Sequence, residues 1–139
     1  MANEPITTPE AAVCAALGTV EQLGGRVYPL EGLKSAAAPF AFYHRQQWET
    51  EETLSGAAEL EEALFAVHLV TETYAQLVML GEAAREKLRA LAGTRYDGLL
   101  IERAVIRQTS PDIREKEVDL YRRMYVLQIN YQKEEISHE

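Results

Sequence analysis

The sequence predicts an α+β fold in which two helices pack on one face of a mixed, mainly antiparallel sheet of four to five strands. Two neighbouring patterns indicate this. Residues 59–71 repeat with a period of two and place Ala63, Phe65, Val67 and Leu69 on one firmly apolar face, which is typical of a strand. Residues 73–91 repeat with a period near 3.6, which is typical of an amphipathic helix. A strand that leads almost directly into a helix has two apolar surfaces that can pack together. The 139 residues suit a single domain, expected over 1–139 with flexible tails at about 1–6 and 133–139.

The first helix is predicted at the start of the chain. Thr7 or Thr8 can cap it, and Pro9 occupies the first turn, where its missing N–H costs little. Gly24-Gly25 is expected to end it. Its apolar stripe consists of Val13, Ala16, Leu17, Val20 and Leu23. Cys14 lies beside this stripe, and we interpret it as a small half-buried residue in preference to a reactive thiol.

Three extended segments follow in the first half of the chain. Residues 26–30 form a short piece whose proline indicates a sheet edge, and a loop is expected at 31–38. Residues 39–48 form the next strand, with Phe40, Phe42, His44 and Trp48 expected on one face. Residues 49–62 contain six glutamates and no base, and are expected to form a long flexible connection between two strands of a hairpin.

The second half begins with the central helix, and Thr73-Tyr74-Ala75-Gln76 matches a capping box at its start. Gly93 is expected to cap its end. A strand at Leu99–Gln108 is expected to place Leu100, Ala104 and Ile106 on one face, and a polar loop runs from Ser110 to about Glu117. The last strand covers about Val118–Gln132, and the predicted order is α-β-β-β-α-β-β. One face of this strand carries Tyr121, Arg123, Tyr125, Leu127, Ile129 and Tyr131, and Tyr125–Tyr131 is its apolar, inward row.

Composition narrows the possible functions. The formal net charge is −8, and residues 1–70 hold ten acids and three bases. An acidic chain is a poor candidate for binding nucleic-acid phosphates. Cys14 is the only cysteine, so no intrachain disulfide is possible, and no run of 18 apolar residues could span a membrane. The amino terminus does not have the features of a signal peptide, so we expect a soluble intracellular protein.

No catalytic constellation emerges from the sequence. His44, His68 and His138 are far apart and do not have the spacing of metal ligands, so we expect no metal, no cofactor and no enzymatic activity. The acidic segment does not have the regular oxygen ligands of a calcium loop. Arg103, Arg107, Arg122 and Arg123 could form a basic strip. Cross-strand pairing with Glu102 or Asp119 is favoured there over contact with nucleic acid.

Several patterns together resemble the tail-completion, or tail-terminator, proteins of long-tailed bacteriophages and prophages. The resemblance covers about residues 8–132 and depends on the order and spacing of the elements. Its parts are the capped first helix, Gly25-Arg26-Val27-Tyr28-Pro29, Pro39-Phe40-Ala41-Phe42-Tyr43, the strand-to-helix unit at 60–91 and the tyrosine-rich strand at 121–131.

The resemblance implies a structural α+β subunit that assembles in the host cytoplasm as a hexameric ring at the head–tail junction of the virion. Such a ring ends growth of the tail tube, contacts the tail-tube and head-completion proteins, and lets DNA pass without specific binding. It implies no catalytic residues; the working surfaces are loops and sheet edges, here best matched by 31–38, 49–59 and 109–118. The candidate partner-binding residues are Glu49, Glu51, Glu52, Glu59, Asp112, Arg114, Glu115 and Lys116.

Two other interpretations remain open. The chain could be a non-enzymatic binding module whose acidic loop docks on a basic partner. It could also be a small enzyme whose site is assembled from scattered residues.

Overall fold

A computed structural model describes residues 6–30, 37–51 and 60–133, with the backbone alone described at 47–51 and 60. The ends of the two predicted tails and the greater part of two predicted loops, at 31–36 and 52–59, lie outside the described residues.

The described chain forms two α-helices, one short 3-10 helix and seven strands. The helices are α1 (Pro9–Gly18), the 3-10 helix (Glu21–Leu23) and α2 (Tyr74–Arg89). The strands are β1 (Val27–Pro29), β2 (Phe40–Glu51), β3 (Leu60–Thr71), β4 (Arg95–Tyr96), β5 (Leu99–Thr109), β6 (Ile113–Glu115) and β7 (Leu120–Lys133).

All seven strands belong to one strongly curled sheet with the order β1-β2-β3-β7-β5-β4, and β6 pairs with β7. Only β1 and β2 are parallel; the other described pairs are antiparallel. The mixed, mainly antiparallel α+β class is therefore confirmed, and the prediction of four to five strands is wrong. The two additional strands, β4 and β6, have two and three residues, so they are too short to produce a periodic pattern, and β6 lies within the loop predicted from Ser110 to about Glu117.

The helix starts agree with the sequence, and the helix ends do not. Thr8 accepts a hydrogen bond from the Ala11 N–H at 3.2 Å, and the Thr73–Gln76 capping box is present. However, α1 already ends at Gly18, because the Thr19 hydroxyl donates to the Ala16 carbonyl at 2.6 Å and the chain continues as the 3-10 helix. The predicted glycine pair, Gly24-Gly25, therefore follows the 3-10 helix and does not end α1.

Gly93 was predicted to cap α2, but Ala90 holds that position. With φ at 80°, Gly93 is in the left-handed region that favours glycine, and its N–H donates to the Ile101 carbonyl at 2.8 Å. It therefore turns the chain from α2 towards the next strands.

Both helices cover the same face of the sheet and form one core with it. On β3 the alternation is as predicted, with Ala63, Phe65, Val67 and Leu69 fully buried on the covered face. The buried side chains of α2 that meet them are Leu77, Leu80, Ala84 and Leu88, and those of α1 are Ala12, Val13 and Leu17. The predicted inward row of β7 is confirmed by the burial of Tyr125, Leu127, Ile129 and Tyr131.

Bulges change the alternation on β2 and β5. The register of β2 shifts between Arg45 and Gln47, so that Trp48 pairs with Ala63, and its predicted place on the face of Phe42 is wrong. On β5 the register shifts between Ile101 and Arg103, so the buried residues are Leu99 and Ile101 before the bulge and Ala104 after it. One extra residue moves every later side chain to the other face, and a period-of-two pattern cannot show where that happens.

Candidate partner-binding surfaces

The sheet face opposite the helices has an aromatic centre. Phe42 and His68 are directly opposite each other on β2 and β3, and their rings stack with centroids 4.3 Å apart and an interplanar angle of 6°. His44 stacks on His68 from the other side at 5.6 Å. Burial lowers the pKa of His68 to about 4, helped by the charge of Arg122 and by His44, so this imidazole is neutral at pH 7. The uncovered face is therefore partly apolar at its centre.

Polar side chains continue this face across β7 and β5. Arg107 donates to the Gln128 side-chain oxygen, and the Gln128 amide donates to the Asn130 side chain at 2.7 Å. Arg103 is exposed and pairs in register with Asn130. Within the described residues, neither Arg103 nor Arg107 forms a salt bridge.

The predicted partner-binding residue Asp112 is exposed, but its carboxylate is bound by side chains of the same chain. Its carboxylate accepts two hydrogen bonds from Arg123, at 2.7 and 3.0 Å, and one from the Tyr74 hydroxyl at 2.8 Å. These donors lower the pKa of Asp112, with the Arg123 hydrogen bonds the largest cause. Arg123 also reaches the Tyr125 hydroxyl at 3.3 Å, and that hydroxyl donates to the Gly81 carbonyl at 3.0 Å. This group, which we call the Asp112 latch, ties the loop after β5 to helix α2.

Two more of the predicted residues also have partners within the chain. Arg114 pairs with Asp119 at 2.8 Å and Glu115 pairs with Arg122 at 3.0 Å. Lys116 is exposed in the turn between β6 and β7, and forms no ion pair with the described residues. Of the four candidates in this loop, Lys116 is thus the side chain with its charge still available to a partner.

The predicted acidic connection is partly strand. Glu49 and Glu51 belong to β2, and Glu49 pairs in register with Glu62 of β3. Like charges directly opposite each other destabilise an antiparallel pair. Glu52 and Glu59 lie outside the described residues. The hairpin end of the sheet therefore concentrates negative charge on paired strands.

The basic strip divides into two halves. Cross-strand pairing with Glu102 or Asp119 was predicted for these arginines. Arg122 does pair across strands, but with Glu115 of β6, and Arg123 pairs with Asp112 in the loop before β6. The predicted partners are engaged elsewhere, because Glu102 accepts from Gln132 at 3.1 Å and Asp119 holds Arg114. The other half, Arg103 and Arg107, lies on β5 at the far side of the sheet from β2.

Two open strand edges were not recognised from the sequence. β1 pairs with β2 only at residues 41–43, and β4 pairs with β5 only at 99–100. In the described part of the chain, no strand covers the outer edge of β2 over 44–51 or that of β5 over 102–109. The bulges at these edges carry polar and charged residues, but periodicity alone does not identify which strand lies at an edge.

Helix α2 offers a further exposed surface. Val78 and Met79 are 40% and 64% exposed and line a shallow groove together with Gln22 of the 3-10 helix. The same groove is bordered by two acidic and two basic side chains, Glu82, Glu86, Arg85 and Arg89. Its charges therefore cancel, and it does not select the sign of a partner.

The described residues include no group of three or more His, Cys, Asp or Glu side chains that could hold a metal ion. Among the described helices, none has the length and apolar character needed to cross a membrane.

The fold is similar to that of a chain in a solved virus-like particle. No protein-family model matches this chain, and no curated protein matches it either. Among solved structures, it is similar to a chain of the virion of a native gene transfer agent particle, with a TM-score of 0.57 and 13% sequence identity. The similarity covers 86% of this chain and 84% of that chain. At this identity the comparison shows that the two chains share a fold.

Proposed function

We propose that this protein is a structural subunit of a phage-like particle, and specifically a tail-completion protein. In this proposal, copies form a ring, with six subunits expected, at the head-proximal end of the tail tube. The ring ends tube growth and joins the tail to the head-completion proteins. The subunit is not an enzyme, and the virion at the head–tail junction is its place of action.

The observation that carries the proposal is the fold shared with a chain of the gene transfer agent virion, over more than four-fifths of both chains. The sequence resemblance to tail-completion proteins supports the same class of particle. A ring subunit also requires two different surfaces that fit each other, as in any closed head-to-tail assembly. The chain offers unlike surfaces, because the hairpin end of β2 is acidic and the exposed edge of β5 carries Arg103 and Arg107.

The net charge is consistent with a passage for DNA. A formal charge of −8 on each subunit repels the phosphate backbone, so a ring of such subunits is expected not to retain duplex DNA. Binding of duplex DNA by the isolated protein at physiological salt would contradict this part of the proposal.

The test is a tube-termination assay. Purified protein is added to polymerising tail-tube protein from the same particle, and tube length and end structure are measured by electron microscopy. We expect shorter tubes that carry a ring at one end. Unchanged tube lengths, together with the absence of rings on the tube ends, would refute the proposal.

A double variant tests whether the acidic segment between β2 and β3 is the docking surface. Replacing Glu51 and Glu52 with Lys should preserve the fold but impair docking to the tube. The matched control replaces Glu21 and Glu82, which are exposed on helices, and makes the same change in charge. If the hairpin variant terminates tubes as well as the wild type, the hairpin is not a docking surface.

A second candidate function is a binding module that docks on a basic partner. It is favoured by the register of Glu49 with Glu62, since two acidic positions side by side would attract a cationic partner. A monomer that remains stable on dilution, leaves tube length unchanged and binds a basic peptide would support this second function against the first.

A further inference from the structure

One row of residues crosses the sheet from the β2 edge to the β5 edge. Glu49 pairs with Glu62, Glu62 pairs with Asn130, and Asn130 pairs with Arg103. The row therefore begins with an acid at one open edge and ends with a base at the other. All four positions share the face opposite the helices, because Glu62 alternates with the buried residues Ala63 and Phe65.

The directions of the two edge strands also match. β2 is antiparallel to β3, β3 to β7, and β7 to β5, so β2 and β5 run in opposite directions. Copies placed side by side in one orientation consequently bring β5 of one copy against β2 of the next as an antiparallel pair. The open stretches have similar lengths, 44–51 on β2 and 102–109 on β5, and each presents backbone groups without a strand partner within the described residues.

The two edges carry residues of opposite charge. Glu49 is in register with another acid, Glu62, whereas Arg103 and Arg107 form no salt bridge with the described residues. A base placed across the β2 edge would lie beside two acidic positions, and an acid placed across the β5 edge would give these arginines a carboxylate. The same charges disfavour pairing of two β2 edges or of two β5 edges, so they select one direction of assembly.

We propose that the β2 edge of one copy pairs with the β5 edge of a second copy, which continues the sheet from subunit to subunit with Glu49 facing Arg103. If the two edge strands are not displaced along their length, Glu49 and Arg103 lie opposite each other. In a closed sheet the strands are tilted and neighbouring copies are displaced along the strand direction, and a displacement of two residues along β2 brings Glu51 opposite Arg103. This inference rests on the proposed function, since it identifies the surfaces that would close the ring. Because each copy uses two different edges, the contact is head-to-tail and leads to a ring or a filament.

The experiment is a charge-swap complementation followed by sedimentation over a concentration series. One variant carries E49K and E51K, and the other carries R103E and R107E. We expect each variant alone to associate about tenfold more weakly than the wild type, because attractive pairs become repulsive ones. An equimolar mixture should recover wild-type association within about twofold, since each reversed edge then meets a reversed partner.

Matched controls carry the same charge changes on α2, away from both edges. These are E82K with E86K, and R85E with R89E; all four residues are exposed. The controls should associate as the wild type does, and thermal unfolding checks that every variant is folded. Equal losses in the control variants, no loss in the edge variants, or no recovery in the mixture would each overturn the edge-to-edge contact.

Amide hydrogen exchange provides a readout that does not depend on charge. On assembly of the wild type, the amides within 102–109 that face the open edge should exchange at least about tenfold more slowly, because they become hydrogen-bonded across the junction. Assembled protein without this protection would overturn the inference, as would a wild type that stays monomeric at millimolar concentration. The tube-termination assay reports separately on the proposed function, so rings that form through other surfaces would remove the edge contact alone.

Discussion

The two faces of β3 show how one strand serves two purposes. On the covered face, Ala63, Phe65, Val67 and Leu69 have no exposed surface and meet both helices. On the other face, Ala66 is buried within the curled sheet, whereas Leu64 and His68 are only partly buried. The covered face therefore stabilises the subunit, and the uncovered face retains surface that another chain can bury. Substitutions on the two faces should separate stability from assembly.

The largest effect is expected on the covered face. Phe65→Ala removes a fully buried ring from the centre of the core and should lower the free energy of unfolding by about 3–5 kcal/mol. Leu64→Ala, on the adjacent position of the uncovered face, should lower it by less than half as much. Urea denaturation of both variants measures the difference. Equal losses would show that the two faces are equally packed in the isolated subunit.

The Asp112 latch should have the next largest effect. Arg123→Ala leaves the Asp112 carboxylate and the Tyr125 hydroxyl without their shared donor and should cost about 1–3 kcal/mol, measured by urea denaturation. Arg114→Ala removes an exposed ion pair from the same loop and should leave stability unchanged within error. A similar loss in the two variants would contradict the assignment of the latch to the fold.

A pH titration tests the centre of the uncovered face. His68 has a pKa of about 4 when folded, against 6.5 for an ordinary histidine, so the unfolded chain binds more protons between these values. His68 therefore contributes stability that is complete above pH 6.5 and is lost as the pH falls towards 4. In His68→Phe, which keeps a ring to stack on Phe42, this part of the pH dependence should disappear from thermal unfolding curves. A pH profile identical to that of the wild type would show that His68 is not the responsible group.

The smallest effect is expected at the hairpin end. Glu49→Gln removes one of two acids that are in register on β2 and β3, and like charges in that position are destabilising, so it should raise the free energy of unfolding by about 0.2–1 kcal/mol. Glu62→Gln should give a similar gain, and the double variant should gain less than the sum because one repulsion is removed in both cases. Additive gains in denaturation experiments would show that these two carboxylates do not interact.

The predictions from sequence were most accurate where a pattern was long and local. The alternation of β3, the inward row of β7 and the Thr73 capping box all appear in the structure. Predictions failed where a single residue changed the phase, as at the bulges of β2 and β5, or where an element was too short to show a period, as in β4 and β6. These failures have one physical cause, which is that a bulge or a short strand is decided by pairing with distant residues.

For the candidate site residues too, the sequence indicated local properties but did not indicate the tertiary partners. Charge composition selected the polar loop at 110–117, most of whose residues are exposed, and the acidic segment, whose side chains at 49–60 lie outside the description. It could not show that Asp112 would be held by Arg123, or that Glu115 would hold Arg122, because these partners come from another strand. The arginines with no carboxylate among the described residues, Arg103 and Arg107, looked no different in sequence from the two that are paired.

The sequence by itself determined the local elements of this protein, namely two helices, long strands and an acid-rich segment between two of them. Only the tertiary structure decided which strands lie at the edges and which charges share a row. The acid at Glu49 and the base at Arg103 are 54 positions apart in the chain, yet three register pairs place them at opposite ends of one line across the sheet. Register depends on strand order and on bulges, both of which arise from contacts between segments that are distant in sequence.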